Sequence, residues 1–170
     1  MPGARVAAIA DPAGAVVSLW QPRLRIGATL VNDVCALCWN ELATADPGRA
    51  KSFFGALLCW QYQAGGSGSV TIINAGRRNG SIRAQTGQEQ GMPRAWGPYF
   101  TVGNAEDAAR HAGQAGGRTV VPPTGTRTGR IAVIADPQGA TFTVYEGLTD
   151  PSGVQTPRSV HNEHARKECK

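Results

Sequence analysis

Glu41 is the candidate catalytic residue, because it lies two positions after an aromatic side chain in a segment with the pattern of a β-strand. Alternation along residues 36–42 places Trp39 and Glu41 on one face of the strand and Cys38 and Leu42 on the other. Glu41 could act as a general base beside the indole ring. It could instead pair with an arginine such as Arg83 or reach solvent, and the sequence leaves these roles open.

Other aromatic and hydroxyl side chains fall on the same predicted face of two later strands. Tyr99 alternates with Phe100, and Thr143 alternates with Phe142 and Val144. An apolar, aromatic lining with a few polar groups is typical of a small-molecule site. The tryptophans and tyrosines could stack on a planar ligand or belong to the core. The expected ligand-binding residues are Trp39, Trp96, Tyr99, Thr101, Thr141, Thr143 and Tyr145.

Motifs for other chemistries are incomplete. Cys35 and Cys38 have the spacing of a redox pair or half a zinc site, but no second pair follows nearby, and reduced, packed cysteines are expected. His161 and His164 lack the HExxH arrangement. The chain has no Gly-x-Ser-x-Gly elbow and no phosphate loop. These patterns predict no metal and no other cofactor.

An internal repeat identifies the elements that position the candidate site. Residues 5–20 return as residues 130–145, and each copy holds an Ala-Asp-Pro-x-Gly-Ala turn between short apolar runs. Asp at the first turn position accepts backbone hydrogen bonds, Pro presets φ, and Gly supplies a positive φ, so each copy predicts a β-hairpin. Between the hairpins the pattern indicates β-α-β-β-β twice, with Asp46 and Asn104 as helix caps.

Composition restricts the remaining function classes. The 170 residues include 22 glycines and 11 prolines, which favours short strands and many turns. The formal charge of +5 is scattered rather than gathered in a basic stripe, so nucleic-acid binding is not expected. No apolar run approaches the roughly 20 residues that span a bilayer, and no signal-peptide pattern is present, so a cytoplasmic protein without membrane contact is expected.

The chain resembles the vicinal-oxygen-chelate superfamily of glyoxalases, bleomycin-resistance proteins and extradiol dioxygenases. The residues that carry the resemblance are residues 37–42, the helix start at Asp46 and Pro47, Phe53 with Phe54, and the two hairpins. It implies an α+β fold in which paired βαβββ units curl mixed sheets into a cup. The implied organisation is the closing hairpin of an incomplete preceding module at 1–22, a linker at 23–35, one module at 36–147 and a mobile tail at 148–170.

The resemblance also predicts where metal ligands would lie. Metalloenzymes of the superfamily usually place His, Gln or Glu on the first and last strands of each unit. The matching positions here hold Trp39, Gly97, Thr143 and, in the leading hairpin, Ser18, while residues 81–85 contain no Asp, Glu or His. Such side chains do not form a site of nitrogen and oxygen ligands for a divalent metal.

The resulting hypothesis is a homodimeric module that binds a small aromatic or hydrophobic organic molecule without a standard metal site. The alternative is a glyoxalase-like lyase or oxygenase with an atypical site or one completed across a dimer. Pairing of modules in the superfamily and an unpaired edge on the leading hairpin favour the dimer.

Overall fold

The computed structural model describes residues 4–23, 27–28, 30–89 and 94–149 of the chain. A leading hairpin comes first, formed by β1 (Arg5–Ala10) and β2 (Val16–Gln21). Two βαβββ units follow. The first contains β3 (Leu37–Thr44), α1 (Pro47–Leu58), β4 (Gln61–Ala64), β5 (Val70–Asn74) and β6 (Arg77–Ala84). The second contains β7 (Ala95–Thr101), α2 (Ala105–Gln114), β8 (Arg118–Gly125), β9 (Gly129–Ala135) and β10 (Thr141–Gly147).

The two units share one curled, eight-stranded mixed sheet with the order β4-β5-β6-β3-β7-β10-β9-β8. The first strands of the units, β3 and β7, pair antiparallel at its centre and join the two halves. Each first strand also pairs parallel with the last strand of its own unit, which sets Glu41 opposite Ser81 and Tyr99 opposite Thr143. The α+β fold with paired βαβββ units that the sequence predicts is therefore confirmed.

Both helices begin where the sequence places their caps. The Asp46 side chain accepts a hydrogen bond from the Arg49 amide at 3.0 Å, and Pro47 follows in the first turn, where it needs no hydrogen-bond partner. The Asn104 side chain accepts one from the Asp107 amide at 2.8 Å. These caps fix the points at which the chain leaves β3 and β7 to cross the sheet.

The helices cover one face of the sheet, and we call the opposite face the cup face. Under α1 the fully buried core is formed by Ala15, Leu42, Ala50, Phe54, Ile72 and Ile82. A smaller cluster of Ala132, Ile134 and Val144 lies with Ala108 and Ala112 of α2. Burying a side chain the size of Leu or Phe contributes about 1.5–3 kcal/mol, so these clusters hold the helices against the sheet.

The leading hairpin packs on the module that follows it. Asp11 Oδ1 accepts hydrogen bonds from the Ala13 and Ala15 amides, and Gly14 has a φ of 93°, as the turn motif predicts. Ala15 is completely buried among the residues under α1, and Val17 packs against the same cluster. The hairpin therefore packs on the module of its own chain.

Part of the predicted organisation lies outside the described residues. This applies to the tail from residue 150 onward, including His161 and His164, and to parts of the linker at 24–26 and 29. Within the described residues, no helix is both long and apolar enough to cross a membrane.

Candidate functional site

Glu41 is the centre of a hydrogen-bond network on the cup face. Its Oε1 atom accepts bonds from Arg83 Nε at 2.7 Å and from the Tyr99 hydroxyl at 3.0 Å. Its Oε2 atom accepts a hydrogen bond from Ser81 Oγ at 2.9 Å. The Ser81 Oγ atom in turn accepts a hydrogen bond from Trp39 Nε1 at 2.9 Å. The network thus joins β3, β6 and β7 and fixes the orientation of the Trp39 indole and the Tyr99 ring.

Arg83 connects this network to the segment that follows β6. Its two terminal nitrogens each donate to one oxygen of Glu89 at 2.7 Å, a bidentate pairing that orders both side chains. Glu89 ends the one-turn 3-10 helix Gly87–Glu89, and its Oε2 also accepts bonds from the amide and hydroxyl of Thr86. The Arg83 guanidinium lowers the pKa of Glu89 to about 2. Glu89 is consequently ionised at neutral pH.

Of the alternatives that the sequence left open for Glu41, the structure shows the ion pair with Arg83. The carboxylate is 18% exposed, so it is neither isolated in an apolar pocket nor free in solvent. Three donors hold it in one orientation. Proton abstraction by this carboxylate would require it to give up at least one of these bonds.

Tyr99 is anchored by the same carboxylate. Burial and the nearby charge of Glu41 raise the pKa of its hydroxyl well above the ordinary value for tyrosine. Thr143, its register partner on β10, contributes a hydrogen bond to that hydroxyl and is itself buried. Tyr99 is therefore a neutral, fixed wall of the cup at neutral pH.

Cys38 occupies a β-bulge and does not keep the orientation that simple alternation predicts. Leu37 pairs with Phe100 and Trp39 pairs with Tyr99, which leaves Cys38 as the extra residue. Its thiol donates to the Tyr99 carbonyl at 3.4 Å and lies next to the hydroxyl of buried Thr101, so it is not turned toward the helices with Leu42. Burial raises the pKa of the thiol, which keeps it protonated at neutral pH.

The expected ligand-binding residues of β10 differ in position. Thr143 lies beside Tyr99 at the centre of the cup, whereas Thr141 is exposed at the beginning of the strand. The hydroxyl of Tyr145 donates to the Thr128 carbonyl at 2.7 Å, which directs its ring toward the β8–β9 turn. Tyr145 thus supports the rim of the cup, and Thr141 stands apart from the central network.

Trp96 lies in the core and away from the cup. It pairs with Leu42 on β3 and therefore faces the helices. Its ring contacts Phe54 at 5.5 Å and Trp60 at 6.1 Å between centroids, both edge to face. The prediction that groups Trp96 with Trp39 and Tyr99 on one ligand surface does not match this placement.

The residues at the superfamily's metal positions do not fit a divalent metal. On the cup face, the first strands offer an indole at Trp39 and no side chain at Gly97, and the last strand offers a hydroxyl at Thr143. The two carboxylates nearest to them, Glu41 and Glu89, are both engaged by Arg83. Throughout the described part of the chain, no group of three or more His, Cys, Asp or Glu could hold a metal ion. Cys35 and Cys38 are free thiols.

Two members of the network, Ser81 and Glu89, were not anticipated. Ser81 gives no signal in the sequence, since a small polar residue in a strand is common. Glu89 follows Thr86 by three residues, which is the spacing of a capping box. Its carboxylate accepts a hydrogen bond from the Thr86 backbone amide at 2.8 Å. That spacing could have identified Glu89 as ordered, although not as a partner of Arg83.

One concavity of the described residues is lined by no member of this network. It is an open depression of about 630 Å³ between the turn of the leading hairpin and α1, lined by Pro12, Asp46, Gly48, Arg49, Ser52 and Phe53. Asp46 serves there as the helix cap, and no convergent set of hydrogen bonds comparable to that around Glu41 is found among its lining residues. The cup face is therefore the stronger candidate for a ligand site.

Comparison with known proteins places this architecture among described families. A family model for a glyoxalase-like domain matches residues 37–145, from the first residue of β3 almost to the end of β10. A protein of Mycobacterium bovis with the provisional name glyoxylase CFP32 is 38% identical over 151 residues, covering 84% of this chain and 56% of the relative. The anthracycline biosynthesis protein DnrV of Streptomyces peucetius is 32% identical over 146 residues, covering 84% and 52%. The chain thus spans about half the length of these relatives.

A solved structure shares the fold. An extradiol ring-cleaving dioxygenase from B. fuscum superimposes with a TM-score of 0.50 and 16% sequence identity, over 75% of this chain and 36% of that chain. At this level of identity the likeness concerns the architecture and carries no information on chemistry.

Proposed function

Since the chain belongs to the glyoxalase-like domain family, within the glyoxalase, bleomycin-resistance and dioxygenase superfamily, we propose that its cup binds a small aromatic or hydrophobic organic molecule without a metal ion. The network around Glu41 carries this proposal. It holds the Trp39 indole and the Tyr99 ring in fixed orientations beside a partly exposed carboxylate. A rigid aromatic surface loses little conformational entropy when a flat molecule packs on it.

The name of one relative supports a ligand of this kind. DnrV is named for anthracycline biosynthesis, and anthracyclines are planar and aromatic. A flat ligand would pack against the indole of Trp39, with Thr143 and Tyr99 forming the floor. Such contacts supply apolar area, while the carboxylate of Glu41 supplies orientation.

The alternative remains a glyoxalase-like lyase or oxygenase whose site is atypical or completed by a second copy of the chain. The provisional name of the CFP32 relative favours this alternative. Glu41 would then be the catalytic residue, and it would have to give up its bond to Arg83 during the reaction. Donors for a metal would have to come from outside the described residues or from a partner, and dimer formation stays a prediction.

Elemental analysis of the purified protein, with thermal melts before and after a chelator, separates the two functions. The binding function predicts no stoichiometric metal and an unchanged melting temperature. Stoichiometric metal together with a clear drop on chelation would instead establish the enzyme alternative. A titration with a planar aromatic probe, followed by tryptophan fluorescence, completes the test: Trp39→Phe should remove most of the quenching, and Trp20→Phe on the exposed hairpin should keep it.

A further inference from the structure

The acceptor capacity of Glu41 is not exhausted by its partners. A carboxylate offers about four acceptor positions. Oε1 uses two of them for Arg83 and Tyr99, and Oε2 uses one for Ser81. Among the described residues, one acceptor position on Oε2 therefore stays open, on a side chain that is 18% exposed.

Most donors around this position are engaged by groups of the protein. Trp39 Nε1 donates a hydrogen bond to the Ser81 hydroxyl. The hydroxyls of Ser81 and Tyr99 each donate a hydrogen bond to Glu41. Arg83 directs Nε at Glu41, both terminal nitrogens at Glu89 and a second hydrogen of one of them at the Ala84 carbonyl, which uses four of its five N–H donors. A ligand with only acceptor groups finds one guanidinium N–H of Arg83, whose charge two carboxylates already share.

The charges in the network also favour a ligand that donates a hydrogen bond. Two carboxylates, Glu41 and Glu89, share the single guanidinium of Arg83, which leaves a formal charge of about −1 on the three groups at neutral pH. The field of this excess negative charge favours a ligand group that is positive or donates a hydrogen bond, and it opposes an anionic ligand group.

We infer that the cup selects aromatic ligands that carry a hydrogen-bond donor, either a hydroxyl or a protonated amine, and discriminates against aromatic carboxylates. The donor group binds Glu41 Oε2 while the ring packs against Trp39. This inference rests on the proposed function, since it names the chemical class that the same site takes.

Four naphthalene derivatives of equal ring size test the inference by calorimetric titration at neutral pH. They are naphthol, naphthylmethylamine, methoxynaphthalene and naphthoate, each substituted at the same ring position. The first two should bind about tenfold or more tightly than methoxynaphthalene, because a hydrogen bond to a charged acceptor contributes on that scale. Naphthoate should bind most weakly. Glu41→Gln should abolish the advantage of the amine, and the control Glu106→Gln, on α2 away from the cup, should retain it.

The outcomes distinguish this inference from the function on which it rests. Binding of all four compounds with equal affinity, or preferred binding of naphthoate, would overturn the donor selectivity and leave the aromatic-binding function standing. Binding of none of the four would overturn both. The comparison among ligands uses the unaltered protein, so it holds even if Glu41→Gln folds poorly.

Discussion

The hydroxyl of Tyr99 and the carboxylate of Glu41 meet diagonally across two strands. The register partner of Tyr99 is Trp39, and that of Glu41 is Gly97, yet the hydroxyl reaches Glu41 Oε1 at 3.0 Å. Diagonal neighbours in an antiparallel pair lie farther apart than direct partners and come within reach only through long side chains. This contact couples the ionisation of the tyrosine to the charge of the glutamate.

Glu41→Gln should lower the pKa of Tyr99. Burial raises this pKa first, and the negative charge of Glu41 raises it further. Removing that charge leaves the effect of burial, which the charge of Arg83 and the hydrogen bond from Thr143 oppose. Ultraviolet absorbance during an alkaline titration measures tyrosine ionisation, and the signal absent from Tyr99→Phe identifies the residue. An unchanged titration in Glu41→Gln would show that the two groups are not coupled in solution.

Acid should destabilise the protein partly through Glu89. Its folded-state pKa of about 2 lies below the ordinary value of 4.5, so its stabilising contribution is complete above pH 4.5 and is lost as the pH falls toward 2. Denaturant unfolding across this range should show Glu89→Gln less stable than the unaltered protein at neutral pH, by about 1 kcal/mol, and nearly equal to it at the acid end. Parallel curves for the two proteins would contradict the Arg83 pairing.

The leading hairpin should contribute to stability through Ala15. This side chain is completely buried under α1, whereas Ala140, its equivalent in the repeat, is exposed. Ala15→Gln forces a larger polar group into a packed cluster and should cost about 1–3 kcal/mol, while Ala140→Gln should stay within about 0.5 kcal/mol. The two unfolding free energies measure the difference. Equal losses would mean that the hairpin does not pack on the module in solution.

Gly80 should be required for the approach of β6 to β3. A Cβ atom at this position would lie 2.5 Å from the Asn40 carbonyl oxygen, and the φ of 157° is one that other residues rarely adopt. Gly80→Ala should therefore destabilise the protein by about 1–3 kcal/mol, whereas Gly66→Ala, which meets no atom within 4 Å, serves as its control. Because β6 carries Ser81 and Arg83, probe binding should weaken together with stability in the first variant.

The sequence predicts the fold well because its signals are local. The turn residues at Asp11 and Asp136, and the helix caps at Asp46 and Asn104, act over four or five positions, and the structure shows each of them at work. Alternation also assigns Trp39, Glu41 and Tyr99 to one face, since it follows from strand geometry alone.

The partners within the site depend on distant pairing, and alternation cannot supply them. Ser81 meets Glu41 only because β3 and β6 pair parallel in one register, and about 40 residues separate the two. The orientation of Trp96 also depends on strand pairing, here with Leu42. The sequence groups Trp96 with the expected ligand-binding residues, whereas its position opposite Leu42 turns its ring toward Phe54. The cytoplasmic location and the homodimer stay predictions.

The two parallel strand pairs have the same backbone arrangement but present different side chains to the cup. The β3–β6 pair and the β7–β10 pair repeat one arrangement, so that Glu41 with Ser81 corresponds to Tyr99 with Thr143. One half presents an anion, and the other presents a phenol and a hydroxyl. A ligand of the proposed kind that lies across both pairs would therefore meet a carboxylate on β3 and hydroxyls on β7 and β10.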